Sequence, residues 1–119
     1  MNKRVKNIKK IKVFFIIAAA AVVFVLHEYK HTFTVEKWLN SDIRVDMVDD
    51  MLEKYDLHGM TKKEIISLLG DETQDAYFKE DNNMVYWLGP ERGLISIDSE
   101  WLVIVFENGI VADYYITCD

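Results

Sequence analysis

The sequence predicts an α+β protein: two short helices packed on a three- to four-stranded antiparallel sheet, preceded by one N-terminal transmembrane helix. Three stretches carry that reading. Val13–Leu26 is an uninterrupted apolar run directly after a cluster of cations. Gly59–Gly70 (Gly-Met-Thr-Lys-Lys-Glu-Ile-Ile-Ser-Leu-Leu-Gly) reads as one short helix with both ends marked. Asn108-Gly109 lies between two runs of branched and aromatic residues, and is the strongest two-residue hairpin signal because both turn positions need positive φ.

The charge is divided along the chain. Residues 1–12 carry six Lys/Arg and no acid, whereas residues 31–119 carry seven Lys/Arg against 19 Asp/Glu, a net −12. A body this acidic repels a phosphate backbone, so no nucleic-acid partner is expected. Cations followed by an apolar run are instead an insertion or export signal. The 14 residues of the run cover only about 21 Å as a helix. Extension to Ile11 and Tyr29, with Lys12 reaching back to the headgroups, gives a span. The alternatives are a cleaved signal peptide and a buried helix, but His27-Glu28-Tyr29-Lys30-His31 stands where cleavage needs small residues. The expected organisation is a basic cytoplasmic tail over 1–12, a signal-anchor over 13–29, a linker over 30–41 and a folded extracytoplasmic domain over 42–119.

Within the linker, Trp38 and Leu39 form the one large apolar pair, placed to dock on the domain. Asp42–Tyr55 is the expected first helix. Val45, Val48, Leu52 and Tyr55 recur at steps of three and four, with Met47 and Met51 beside them, and Asp46, Asp49, Asp50 and Glu53 form a solvated stripe. Leu57-His58-Gly59 turns the chain into the second helix, making an antiparallel pair. Thr61 caps that helix and Glu64 reaches back to the Thr61 amide. Ile65, Leu68 and Leu69 share one face with Ile66 at its edge, and Gly70 ends the helix.

Asp71–Asn83 reads as a loop in which Ala76-Tyr77-Phe78 pairs briefly at a sheet edge. Met84–Leu88, Trp101–Glu107 and Ile110–Ile116 are the expected strands. A two-residue turn sets Glu107 opposite Ile110 and, counted outward, Ile104 opposite Asp113 and Leu102 opposite Tyr115. One face then holds Trp101, Val103, Val105, Ala112, Tyr114 and Ile116 without charge, and is the expected seat of the helices. The other holds Leu102, Ile104, Phe106, Val111 and Tyr115 with Asp113 in their midst. That face is the candidate partner-binding surface, unless the linker around Trp38 or the loop Glu91–Glu100 covers it. Glu91, Arg92, Asp98 and Glu100 form a second candidate, a charged constellation that pins the long loop.

Arg44-x-x-Met47-Val48-x-Asp50-x-Leu52, the Gly59–Gly70 segment and Leu102-x-Ile104-x-Phe106-x-Asn108-Gly109 together resemble the SmpA/OmlA (BamE-like) domain family over residues 42–116. The stretch from Leu88 to Leu102 looks like a subgroup of small membrane-anchored members. The resemblance implies a BamE/β-lactamase-inhibitor-like fold, no cofactor and a non-enzymatic role at the cell envelope. The best known member is an accessory subunit of outer-membrane barrel assembly. Family members are usually lipoproteins. This chain has no Cys after its apolar run, only Cys118 at the far end, so a membrane helix stands in place of the lipid. What the resemblance transfers is the fold and a binding role, with another envelope or membrane protein, or a second copy of this chain, as the partner.

One motif argues for chemistry. His27-Glu28-x-x-His31 has the spacing in which two imidazoles one helical turn apart hold zinc while the Glu activates water. It lies at the end of an apolar helix, where Tyr29 and Lys30 also serve as interface anchors, so a small membrane zinc peptidase is the alternative function.

Overall fold

The computed structural model describes residues 2–119, which form two units, 2–31 and 32–119. The first is a single helix, α1 (Lys3–His31), which contains the cations as well as the apolar run. It is long and apolar enough to cross a membrane, and none of its most apolar window is buried within the protein.

The second unit begins ten residues earlier than the expected domain, because the stretch read as a linker is part of the core. Its elements are α2 (Val35–Asn40), α3 (Val48–Lys54), α4 (Lys62–Leu69), β1 (Asn83–Pro90), β2 (Ser99–Glu107) and β3 (Ile110–Cys118). Thr34 caps α2 by accepting from the Lys37 amide at 3.2 Å, and Trp38 is completely buried. The expected helix over 42–55 is shortened to α3. Its first part instead runs along β1, where the Arg44 and Val45 amides both donate to the Leu88 carbonyl (2.6 and 3.0 Å). Leu88 is the unpaired residue of a bulge between Trp87 and Gly89, so its carbonyl is turned to meet them.

Thr61 caps α4 as expected, its hydroxyl accepting from the Glu64 amide at 3.2 Å. The Glu64 carboxylate accepts from that same hydroxyl rather than from the Thr61 backbone. The segment before the cap has a second role. The Gly59 amide donates to Val111, the Val111 amide donates to Met60, and Thr61 bridges Ile110, so Gly-Met-Thr lies against the start of β3. At the other end, the Trp38 indole donates to the Leu69 carbonyl (3.0 Å) and the buried Tyr86 hydroxyl to the Gly70 carbonyl (2.7 Å). Two orphan carbonyls of the helix end are thereby satisfied. The helix neighbouring α4 is α2, not the preceding helix the sequence pairs with it, and a Cβ on Gly70 would stand 2.7 Å from a Leu39 methyl.

The sheet is antiparallel in the order β1-β2-β3. Asn108 and Gly109 both take positive φ, and the turn sets Glu107 opposite Ile110 and Phe106 opposite Val111. Beyond that the predicted register fails by one residue. Val105 pairs with Asp113, so Ala112 is an unpaired bulge, and Ile104 then faces Tyr114 and Leu102 faces Ile116. The bulge re-sorts the faces. Leu102, Ile104, Phe106 and Val111, with Tyr114 and Ile116 at the margin, pack with Trp38, Val48, Met51, Ile65 and Leu69 in the main core. Trp101, Val103 and Val105 lie on the opposite face beneath Ala76 and Phe78, with the Phe78 and Trp101 rings edge to face at 6.3 Å. The 71–82 loop thus covers a face and does not pair through Ala76-Tyr77-Phe78. Thr73 is the residue that lines the β1 edge, donating to Val85 and accepting from Trp87.

Replacing Leu102 with Lys places an ammonium in this core without a partner, a change of about 3–5 kcal/mol. We expect it to abolish the cooperative near-ultraviolet circular dichroism transition, while Tyr115→Lys on the other face leaves the midpoint nearly unchanged. The reverse pattern would show that the faces are assigned the wrong way round.

Candidate functional site

The sheet face expected to receive a partner is not a surface. Leu102 and Ile104 have no exposure, and Phe106 and Val111 are buried beneath α2, α3 and α4. The physical reason is the Ala112 bulge, which exchanges Asp113 for Tyr114 opposite Ile104 and removes the charge that marked this face as the open one. Tyr115, counted with them in the sequence, is on the other face and 46% exposed. Trp38, in the segment expected as one alternative cover, contributes to that lid together with α3 and α4.

The charged constellation is assembled around Arg92 and Glu100 with one member added, and Glu91 and Asp98 enter it through their backbones. Glu100 lies on β2 with its carboxylate almost wholly buried. Arg92 spans it in a fork, Nη2 at 2.8 Å from Oε1 and Nε at 2.9 Å from Oε2, while the Arg92 amide donates to Oε2 at 2.8 Å. Arg92 Nη1 reaches Asp49 in the first turn of α3 at 2.6 Å. Sequence reasoning placed Asp49 only in a solvated stripe, since no local signal links residues 43 positions apart. Glu91 and Asp98 close the base of the loop through their backbones, the Glu91 amide donating to the Asp98 carbonyl at 2.8 Å. Hydrogen bonds from Arg92 hold the Glu100 carboxyl below its ordinary range, against the opposing effect of burial. The same contact raises Arg92.

Above that pinned base the loop projects Leu94, Ile95 and Ile97, which are 105%, 73% and 82% exposed. Scattered apolar residues on a surface are ordinary, but three within four positions of one loop are a patch. The sheet offers a second feature. β1 has its outer edge occupied by Thr73, Arg44 and Val45. β3 has only β2 as a neighbouring strand, apart from the Gly-Met-Thr contact at Ile110 and Val111. Its later part, including Tyr115, is therefore an open edge of the kind that accepts an added strand.

In α1 the His27 and His31 rings stack at 4.1 Å, and His31 Nδ1 donates to the His27 carbonyl at 2.9 Å. Among the described residues no group of three or more His, Cys, Asp or Glu side chains is placed to hold a metal ion. No protein-family model matches the chain, and no curated protein matches it. The SmpA/OmlA resemblance therefore rests on the motif residues and on the α+β arrangement alone.

A carboxyl depressed by its fold contributes stability above its ordinary pKa, near 4.5 for Glu, and loses that contribution as pH falls through the depressed value. We expect Glu100→Gln to lower stability by about 1–2 kcal/mol at pH 7 and to flatten the loss of stability below pH ~4.5. Thermal melts of both proteins from pH 3 to 7 check this. Parallel acid profiles would show that the Arg92–Glu100 pair does not carry it.

Proposed function

We propose that this chain is a single-pass membrane protein of the cell envelope, with its N-terminus in the cytoplasm and residues 32–119 outside. It acts as a non-catalytic interaction or assembly-accessory module in the manner of SmpA/OmlA-like domains. The observation that carries the reading is α1. A 29-residue helix leaves Phe14, Phe15, Ile16, Ile17 and Val22–Leu26 exposed, and water does not tolerate an apolar cylinder of that size. Six cations before the apolar run favour an N-in orientation.

The interaction role draws support from the arrangement of the second unit. Its charged constellation is spent on pinning a loop, its helices lie on one sheet face, and the free backbone of β3 beside Tyr115 is the feature suited to another protein. The partner is another envelope or membrane protein, and a second copy of this chain presents the same edge. Attachment through α1 ties the proposed action to the inner, or plasma, membrane.

The lone cysteine gives a direct test of orientation, since Cys118 is exposed. A membrane-impermeant maleimide is expected to label Cys118 in intact spheroplasts. Labelling only after permeabilisation would put residues 32–119 in the cytoplasm and overturn the proposal. A photo-crosslinker at Tyr115 in the same membranes then separates a heterologous partner from a homodimer by the mass of the adduct.

A further inference from the structure

We propose that His27 and His31 form half of a zinc site and that α1 of a second copy of this chain supplies the other half. Four imidazoles then close around one Zn2+ and tie two chains together at the end of the apolar run. This rests on the reading of α1 as a membrane span, and it needs no residue outside α1.

On a helix, residues four apart stand one above the other, and the His27 and His31 rings stack at 4.1 Å with 30° between their planes. Both residues are exposed. A carbonyl only accepts, so the His31 Nδ1 at 2.9 Å from the His27 carbonyl carries the ring hydrogen, and the lone pair of the neutral imidazole is left on Nε2. Histidines that bind metal are commonly oriented in this way, one ring nitrogen tied to an oxygen and the other presented to the ion. Imidazole nitrogen is a ligand that suits zinc.

One chain cannot finish the site. Among the described residues no third His, Cys, Asp or Glu joins the pair, whereas zinc in a closed site takes four ligands. The bilayer arranges the meeting of two half-sites. Six cations ahead of the run hold both copies with their N-termini inside, so the two helices are parallel and their histidines lie at one depth. Val13, Ile16, Ala20, Val23 and His27 recur at alternating steps of three and four, with His31 one turn further, which is the spacing of a seam between parallel helices. Val13, Ile16 and Val23 are all exposed, and Ala20 lets two backbones approach closely. Glu28 is turned about 100° from His27, off that line. A site with four protein ligands keeps no open position for water, so it joins chains and cleaves nothing, in keeping with a non-catalytic module.

The test uses the full chain in detergent micelles at neutral pH, first stripped of metal with EDTA. Zinc is added, unbound metal is removed by gel filtration, and zinc per chain is measured together with the mass by sedimentation. We expect one zinc per two chains and a shift from monomer to dimer, and cobalt in place of zinc to give the strong visible absorption of a tetrahedral ion. His27→Ala and His31→Ala, both at exposed helix positions, each abolish zinc retention and the shift, while His58→Ala and Glu28→Gln leave both unchanged. One zinc per monomer, no zinc retained, loss of zinc in His58→Ala, or a dimer indifferent to zinc and to both α1 histidine variants overturns the proposal. Alkaline carbonate extraction of membranes reads the span separately. Release of the chain there removes the α1 premise, whereas a chain that stays in the membrane pellet yet retains no zinc refutes the site alone.

Discussion

A single residue, Ala112, has no partner across the hairpin, and the orientation of every later residue in β3 follows from it. Side chains alternate along a strand, so one extra residue moves the whole set beyond it to the opposite face. Without the bulge, Asp113 would lie opposite Ile104 among Leu102 and Phe106, and a carboxylate would enter the apolar core unpaired. With it, Asp113 moves to the outer side, where its carboxylate accepts from the Tyr114 amide at 2.9 Å. Tyr114 and Ile116 then turn inward and complete the core margin. The identity of the helix-covered face thus depends on one interruption in the pairing.

Once that face is set, the helices are held to it by polar ties as well as by burial. Trp38 fills the space between α2 and α4 and also satisfies the Leu69 carbonyl. Its own carbonyl accepts from Arg44 Nε at 3.0 Å, and the guanidinium stands 4.8 Å from the indole centroid. Arg44 is in turn anchored by its backbone to the bulged Leu88. A chain of contacts therefore runs from the edge of the sheet through Arg44 and Trp38 to the end of α4, and each link closes a group that would otherwise be buried without a partner. The Gly-Met-Thr segment does the same at the start of α4 by pairing with β3.

Much of this was legible in the residues. The Thr61 cap, the buried Ile65 and Leu69, the Gly70 terminus and the Asn-Gly turn all express local rules and lie where those rules place them. What was not legible depends on distant partners. Ala112 carries no bulge signal of its own, and only the cost of burying Asp113 distinguishes the two registers. The 30–41 stretch lacks a period because six residues make too short a helix to show one, although Trp38 is large and apolar enough to mark a docking point. Asp42–Met47 has the spacing of a helix but is drawn onto β1 by the hydrogen bonds that the Arg44 and Val45 amides donate to the Leu88 carbonyl, a case of tertiary pairing overriding periodicity. The loop constellation was found by its charges, whereas Asp49 was invisible as a member because it comes from another element. The exposed Leu94, Ile95 and Ile97 are unremarkable as a sequence and acquire meaning only once the loop is seen to be pinned and uncovered.

The first unit is a helix long and apolar enough to cross a membrane; the second is a small sheet whose helices guard one face, leaving an open strand edge and an apolar loop as its outward features. The identity of its outward surfaces depends on which residues of β2 and β3 point inward. Cross-strand nuclear Overhauser contacts measured on the protein in detergent micelles address that most directly. The bulged register predicts contacts linking Ile104 with Tyr114 and Val105 with Asp113; contacts linking Ile104 with Asp113 and Val105 with Ala112 would contradict it.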